Sequence, residues 1–532
     1  MDCTARFIPY SDIGQFSSLV LDYIGENGNL SKFYNHFPSA EGFKKAVAER
    51  KSFPTDRQLI IDAFRHTHAS RKMTPAQSLN LEALGRDNCF TICTAHQPNI
   101  FSGYLYFVYK TLHAISLAQS LNQQMPESHF VPVFYIGSED NDFEELSHIN
   151  LDGQKLKWET RQTGAVGRMK VDKGLLALIN RIEGRLGIEP QGAKLIEILR
   201  DSYSEGVSIS EATFRLLNHL FSDYGLLILQ PDQASLKKQM VRIFEDDLNL
   251  HLPYQLVEAS SSELEKKYKI QVNPREINLF YLDESSRQRI IKKDETFFID
   301  GTDKQFSRAE IEDELLKHPE KFSPNVVLRG IYQETILPNI AFIGGGSETA
   351  YWLELKGLFD HYKVPFPILV LRNSFLLMSA EQEEKLEKTG WKAEDLFQSD
   401  FDLMNRLVKK QTNHQLSLDQ EIIEARQFYE KISTSASSID QTLKRHVAAL
   451  EKRALTHLQN LEKKMLRAEK RKFEAEHRQL QKIKADLFPN NGLQERVENI
   501  LPYYARFGNE IIDCLFQNSP AMDMKFGIIS GF

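Results

Sequence analysis

Four short segments of this chain hold polar residues and glycines in patterns that could do chemistry. The first is Ala95-His96-Gln97-Pro98-Asn99-Ile100-Phe101-Ser102-Gly103, where a β-prone run turns into a long amphipathic stretch from Tyr104 to Leu121. Amides at a helix start attract phosphate, a glycine admits close approach, and a histidine or lysine can meet a phosphoryl oxygen. A nucleotide site is therefore outlined, with His96 catalytic and Asn99, Gly103 and Lys110 binding the cofactor. Neither the Gly-x-Gly-x-x-Gly fingerprint nor the Gly-x-x-x-x-Gly-Lys-Ser/Thr loop is present, and a turn histidine bonded to backbone is the plainer reading.

The second segment, Ser138-Glu139-Asp140-Asn141-Asp142-Phe143-Glu144, follows another strand-like run. Glu139, Asp140 and Asp142 could hold Mg²⁺ on nucleotide phosphates or accept a substrate ammonium; alternatively they are acids favoured by a helix dipole. The third is Gly344-Gly345-Gly346 ahead of Ser347-Glu348, preceded by Leu328-Arg329-Gly330 and Glu334 to Asn339. Three glycines before a helix start expose amides to a ligand, which assigns Gly344, Gly345 and Gly346 to the cofactor. The fourth, Leu371-Arg372-Asn373-Ser374, puts a guanidinium fork at a strand end, where it can grip phosphate or carboxylate. No metal site is assigned. On a strand Cys89 and Cys93 lie about 13 Å apart and His96 faces the other side, so the three cannot share one zinc ion. A Gly-x-Ser-x-Gly elbow and a His-Glu-x-x-His pair are both missing, so hydrolase chemistry has no support.

These segments need a scaffold that brings strand ends together. The buried runs are Thr91 to Ala95, Phe130 to Ile136, Leu226 to Leu229 and Pro367 to Leu371, and they alternate with helical stretches. That alternation predicts an α/β fold with a parallel, doubly wound sheet whose ligands bind beyond the carboxyl ends of the strands. The expected layout is an N-terminal helical extension over 1–86, the core over 87–390 with insertions near 152–205 and 275–325, a helical coiled coil over 391–488, and a segment over 489–532 packing back on the core. From Trp391 to Phe488 there is neither glycine nor proline. Leu443, Val447, Leu450, Ala454, Leu458, Leu461, Met465 and Ala468 form a seam spaced by three and four. Asp440 is the expected N-cap of an antiparallel hairpin arm of about 46 residues, some 70 Å long.

With 532 residues the chain needs two to four structural units, and its 41% hydrophobic and 26% charged content is that of an ordinary folded protein. The polar start at Met1-Asp2-Cys3 lacks a secretory pattern and no apolar run approaches a membrane span, so the expected location is the cytoplasm. Four scattered cysteines, Cys3, Cys89, Cys93 and Cys514, are expected as free thiols. A net charge of −7 speaks against nucleic acid. Residues 440–486 carry thirteen Lys/Arg and seven Asp/Glu, which reads as a solvated coiled-coil face.

Together Thr94-Ala95-His96-Gln97-Pro98, Ile136 to Glu144, Gln271-Val272-Asn273-Pro274-Arg275 to Phe280, and Gln333 to Asn339 resemble, in order, the bacillithiol-biosynthesis cysteine-adding ligase family. The resemblance covers roughly residues 5–530. It implies a Rossmann-like core similar to class I aminoacyl-tRNA synthetases, two connecting insertions and a coiled coil that makes a homodimer. The reaction it implies joins the carboxyl of L-cysteine to the amine of glucosaminyl-malate, with ATP and Mg²⁺ expected because a free carboxylate does not form an amide unaided. His96 would stand in the place of the synthetases' His-x-Gly-His motif, with Gln97 and Pro98 departing from it and the second histidine missing. Glu139, Asp140, Asp142 and Arg372 join His96 as catalytic residues; Glu334, Asn339, Glu348, Tyr351, Trp352, Asn373 and Ser374 are expected to bind substrate. Two other classes stay open: a non-catalytic, nucleotide-sensing coiled-coil scaffold, and an ATP-dependent ligase for a different amino acid or amine.

Overall fold

The structure is a computed structural model that describes residues 3–412 and 416–532, so the polar start at Met1-Asp2 and the part of the expected helical span at Asn413, His414 and Gln415 lie outside the described residues. The chain forms two compact units: Met1–Met378 with Gly492–Phe532, and Ser379–Asn491.

The first unit is built on five parallel strands. In spatial order they are Leu227–Leu229, His129–Ile136, Cys89–His96, Asn339–Gly344 and Ile368–Leu371. In chain order this is 3-2-1-4-5, the Rossmann-like arrangement, and the order reverses between Cys89–His96 and Asn339–Gly344. Almost every residue of these strands is buried, as a sheet covered on both faces requires. Cys93, Val133, Phe342 and Leu369 pack on one face with Leu328, Ile331 and Trp352. Ile92, Ile343 and Val370 pack on the other against Ala114, Leu117 and Ala118 of the helix Leu105–Gln124. Side chains tie the two strands at the reversal: Thr94 Oγ1 donates to the Ile343 carbonyl at 2.9 Å and Thr91 Oγ1 to Asn339 Oδ1 at 3.1 Å.

Between the second and third core strands the chain inserts the hairpin His148–Leu151/Gln154–Lys157 and the helices Lys173–Leu186, Gly192–Ser202 and Ile209–Phe221. Between the third and fourth it inserts a five-stranded antiparallel sheet running from Leu279–Leu282 to Phe322–Pro324.

The N-terminal segment, expected to be helical, opens instead on the strand Thr4–Pro9. This strand pairs antiparallel with Lys525–Ser530, which runs parallel to Ser374–Met378, so the two chain ends share a second sheet. Its exposure pattern carries no local amphipathic signal; the strand exists because a partner more than five hundred residues away completes it. The same closure overturns the expectation of four free thiols. Cys3 and Cys514 are joined in a disulfide with Cα atoms 6.1 Å apart, while Cys89 and Cys93 are free and buried.

In the second unit the helices Asp419–Ile439 and Leu443–Lys470 fold back on each other as the expected hairpin. Asp440, the expected N-cap, lies in the turn instead: its Oδ1 accepts from the Thr442 amide at 2.8 Å, while the second arm starts after Thr442 with no side-chain cap. That arm is shorter than expected: a 3-10 turn at Arg471–Phe473 separates Leu443–Lys470 from Glu474–Leu487, with neither glycine nor proline to signal it.

Trp352, an expected substrate contact, is wholly buried, stacked on Phe342 at 4.6 Å between ring centroids and flanked by Phe359 and Phe366. Trp352→Ala is expected to cost about 3–5 kcal/mol of stability, read from urea denaturation followed by circular dichroism. A variant as stable as the parent but weaker in substrate binding would return Trp352 to the site.

Candidate active site

A cavity of about 640 Å³ opens at the carboxyl edge of the parallel sheet, where the strand order reverses and the physics of open α/β sheets puts a ligand. Its floor is Ala95, His96 and Tyr135; one wall is Gly137 to Asp142 with Glu145, another Pro324 to Val326 with Arg287 and Arg329. The glycine loop Gly345 to Glu348, Tyr351, Tyr106, Arg372 and Arg496 close it.

His96 ends the first strand. Its Nδ1 lies 3.1 Å from the Gln97 carbonyl, which can only accept, so Nδ1 carries the hydrogen and Nε2 accepts from the Tyr106 hydroxyl at 3.2 Å. Burial, then the nearby Lys110 charge, pushes its pKa down to about 4. The imidazole is therefore neutral at physiological pH, and it works with Tyr106 as a dipolar pair rather than as a cation. Tyr106 went unnoticed in the sequence because it belongs to no motif; it stands in the helix that follows the His96 turn, and its ring also carries the Arg372 guanidinium at 5.0 Å.

Lys110, expected at the nucleotide, sits beneath the cavity instead. Its ammonium donates to the Ala95 carbonyl at 2.6 Å and to Glu348 Oε2 at 2.7 Å. Glu348 Oε2 also accepts the Gly345 amide at 2.8 Å, closing the start of the helix Gly346–Glu354. Burial raises the Glu348 pKa, but the Lys110 charge and these hydrogen bonds outweigh it and hold the carboxylate below its usual range. Of the three glycines, Gly345 and Gly346 line the cavity and Gly344 does not: a Cβ on Gly344 would meet Phe342 and Glu348 at 2.9 and 3.0 Å. Asn99 and Gly103 are also not in the lining. Gly103 has φ +60°, and a Cβ there would lie 2.8 Å from Asn99 Cβ, so the close approach it allows is to its own loop.

The acidic wall is part scaffold, part open surface. Glu139 is held by Lys237, which is fully withdrawn from water and also lies 3.2 Å from Asp232; Arg168 in turn grips Asp232 with two bonds of 2.7 and 2.9 Å. Burial pushes the Glu139 pKa up against the pull of Lys237. Asp140 Oδ2 accepts from Gln97 at 2.9 Å, and Asp142 caps the short helix Phe143–Leu146 through the Glu145 amide at 3.2 Å while its side chain borders the cavity.

Arg372 lines the cavity, yet its fork is bound in two bonds, 2.7 and 3.0 Å, to Glu495 of the C-terminal segment. Ser374 belongs to that cluster, and Asn373 donates to Ser519 and the Pro520 carbonyl; neither reaches the cavity. Glu334 and Asn339, expected at the substrate, are closed into the core, where Asn339 Nδ2 and Gln333 Nε2 each donate to Glu334 Oε1 at 2.8 Å. Burial raises the Glu334 pKa to about 7. Tyr351 does face the cavity and accepts from Arg329 Nη2 at 2.6 Å.

The residues brought together are thus His96, Glu139, Asp140, Asp142, Gly345, Gly346, Glu348, Tyr351 and Arg372; Tyr106, Arg287 and Arg329 are additions. The set offers a helix start, open carboxylates and guanidiniums within one crevice. Such a crevice can hold an anion and an ammonium side by side. Among the described residues no three His, Cys, Asp or Glu side chains cluster as metal ligands, so a divalent ion here would need oxygens from a ligand as well, the usual habit of Mg²⁺.

Residues 2–373 match the family described as bacillithiol biosynthesis BshC, N-terminal Rossmann-like domain, and residues 375–530 match its C-terminal coiled-coil domain. A Flavobacterium johnsoniae protein named "Putative cysteine ligase BshC" is 36% identical over 527 residues, covering 98% of this chain and 99% of the relative. Its namesake from Flavobacterium psychrophilum is 37% identical over 525 residues, covering 98% of each. Among solved structures, a chain described as a "putative arginyl t-RNA synthetase" from Campylobacter jejuni covers 84% of this one at 11% identity with a TM-score of 0.20, a value that carries no weight for the fold.

The neutral His96 has a measurable consequence. The unfolded chain takes up a proton at this histidine below its ordinary pKa of 6.5, and the native chain refuses it until about 4. The stability of the parent minus that of His96→Gln should therefore fall as pH drops from about 6.5 to about 4 and stay flat above. A difference independent of pH over that window would mean an ordinary, solvated imidazole.

Proposed function

The chain belongs to the bacillithiol-biosynthesis BshC family, and from that premise we propose that it is a ligase joining the carboxyl of L-cysteine to the amine of glucosaminyl-malate, with activation by ATP. The observation that carries the reading is the polar cavity at the strand-order reversal, with an acidic wall, a guanidinium wall and a helix start facing one space.

An amide does not form from a carboxylate and an ammonium at neutral pH, because one partner holds the charge that must leave and the other holds the proton that blocks attack. ATP supplies the activation of the carboxyl. The chain's own groups do the rest. The Gly345 to Glu348 loop and its helix start favour phosphate. Asp140 and Asp142, the open carboxylates of the acidic wall, attract Mg²⁺ on those phosphates or the ammonium of a substrate, and can take the proton released when the amine attacks. Tyr106 lines the cavity and gives its hydrogen to His96 Nε2, which leaves its oxygen as an acceptor for a substrate hydroxyl or ammonium. Holding both substrates and the nucleotide in one crevice supplies proximity, and no covalent enzyme intermediate is needed.

We assign the protein to the cytoplasm as part of this reading; separately, among the described residues no helix is long and apolar enough to cross a membrane. Ile423, Phe428, Leu443, Leu450 and Leu461 leave apolar surface on the hairpin exposed in the single chain, which supports a homodimer through the coiled coil.

The test is a mass-spectrometric profile of low-molecular-weight thiols and glucosaminyl-malate in cells with and without the gene. Loss of a cysteine-containing thiol with accumulation of glucosaminyl-malate is expected, and Asp140→Asn should restore it at a rate lower by about 10²-fold or more. An unchanged profile in the deletion strain would remove the cysteine-ligase reading.

A further inference from the structure

Buried cations beside the cavity are generally paired with acids: Lys110 with Glu348, Lys237 with Glu139, Arg372 with Glu495. Arg287 and Arg329 differ, since among the described residues neither has a carboxylate within 4 Å although both line the cavity. Glu139 and Asp140 act on Arg287, and Glu348 on Arg329, only from beyond contact.

Both guanidiniums are nevertheless fixed. Arg329 donates from Nη2 to the Tyr351 hydroxyl at 2.6 Å and from Nη1 to Gln333 Oε1 at 3.5 Å, and it lies 5.9 Å from the ring centroids of Tyr135 and Phe342. Arg287 lies 3.9 Å over the Phe280 ring and donates to Ser323 Oγ at 3.0 Å, Asn141 Oδ1 at 3.2 Å and the Pro324 carbonyl at 3.2 Å. A guanidinium has five N–H bonds, so hydrogens remain on each. One strut holds the two together: Arg287 grips the Pro324 carbonyl, and the Arg329 amide bonds the Asn325 carbonyl at 2.9 Å. Charges held in place by neutral partners, with donors to spare, are prepared for an anion that comes from outside.

We propose that Arg287 and Arg329 are the carboxylate-recognition subsite of this cavity and take the dicarboxylate end of the acceptor; the proposal rests on the ligase reading above. The carboxyl of the amino acid is the poorer candidate, because that group must be activated and a fork gripping both its oxygens would oppose the change. The malate end of glucosaminyl-malate takes no part in the reaction, so its two carboxylates can stay bound throughout and fix the sugar amine relative to the acidic wall.

The experiment uses the full-length protein, with L-malate as the binding probe in calorimetry and steady-state kinetics on glucosaminyl-malate, methyl glucosaminide, ATP and cysteine. Arg287→Gln and Arg329→Gln are each expected to weaken malate binding and raise KM for glucosaminyl-malate by about tenfold or more, with KM for ATP and cysteine unmoved. The preference for glucosaminyl-malate over the glucosaminide without carboxylates, as a ratio of kcat/KM, should fall by the same factor. Arg329→Lys, which keeps the charge and loses the fork, should recover only part. Thermal midpoints without ligand check that each variant folds. A rise in KM for ATP instead would make the pair a phosphate clamp and overturn the proposal, as would malate binding unchanged in both Gln variants. Arginine-dependent malate binding without any cysteinyl product would leave the subsite standing and defeat the ligase reading alone.

Discussion

An ammonium sealed under the sheet edge organises this protein. Lys110 is withdrawn from water and cannot stay charged there without compensation, since an unpaired buried ion costs several kcal/mol. Its partners come from three places: the carbonyl of Ala95 at the end of the first strand, Glu348 of the glycine loop, and through Glu348 the Gly345 amide. The strand end, the long helix and the loop after the fourth strand are thereby locked into one geometry. The same charge adds to the burial that keeps His96 neutral, so one buried lysine shapes the cavity floor and reinforces the protonation state of its histidine.

Much of this was legible from residue order. Runs such as Phe130 to Ile136 can hardly be anything but buried strands, and alternation with helices fixes a parallel sheet whose loops meet at one edge. The Leu443 to Ala468 seam likewise announces a long helix. Faces within a helix were harder. Arg329 and Glu334 share the helix Val326–Ile336, and five residues at about 100° each turn them some 140° apart, so when one meets the cavity the other must meet the core. Tyr351 and Trp352 part company in the same way. Glycine was ambiguous for a different reason: a backbone without a Cβ records that something comes close, and at Gly103 and Gly344 that something is protein.

Contacts between distant segments left no trace in local sequence. Arg372 looked like a free fork because Glu495, which occupies it, lies far along the chain. Cys3 and Cys514 looked solitary for the same reason. Residues whose charge is spent internally and residues whose charge is available cannot be told apart from type alone; the sorting is done by tertiary neighbours, and in this cavity it separates Arg372, just past the strand Ile368–Leu371, from Arg329 in the helix Val326–Ile336 although both line it.

Because Glu495 reaches back to Arg372, the order of manufacture matters. Ribosomes add about 5–20 residues per second, so the 123 positions that separate the two residues emerge over about 6–25 s. Throughout that interval the five strands of the parallel sheet are already made, but the carboxylate that neutralises Arg372 and the strand of the second sheet that pairs with Thr4–Pro9 are not. A nascent chain is therefore a nearly complete enzyme with an open seam, and its last forty residues act less as a tail than as the clasp that ends its exposure to proteases and chaperones.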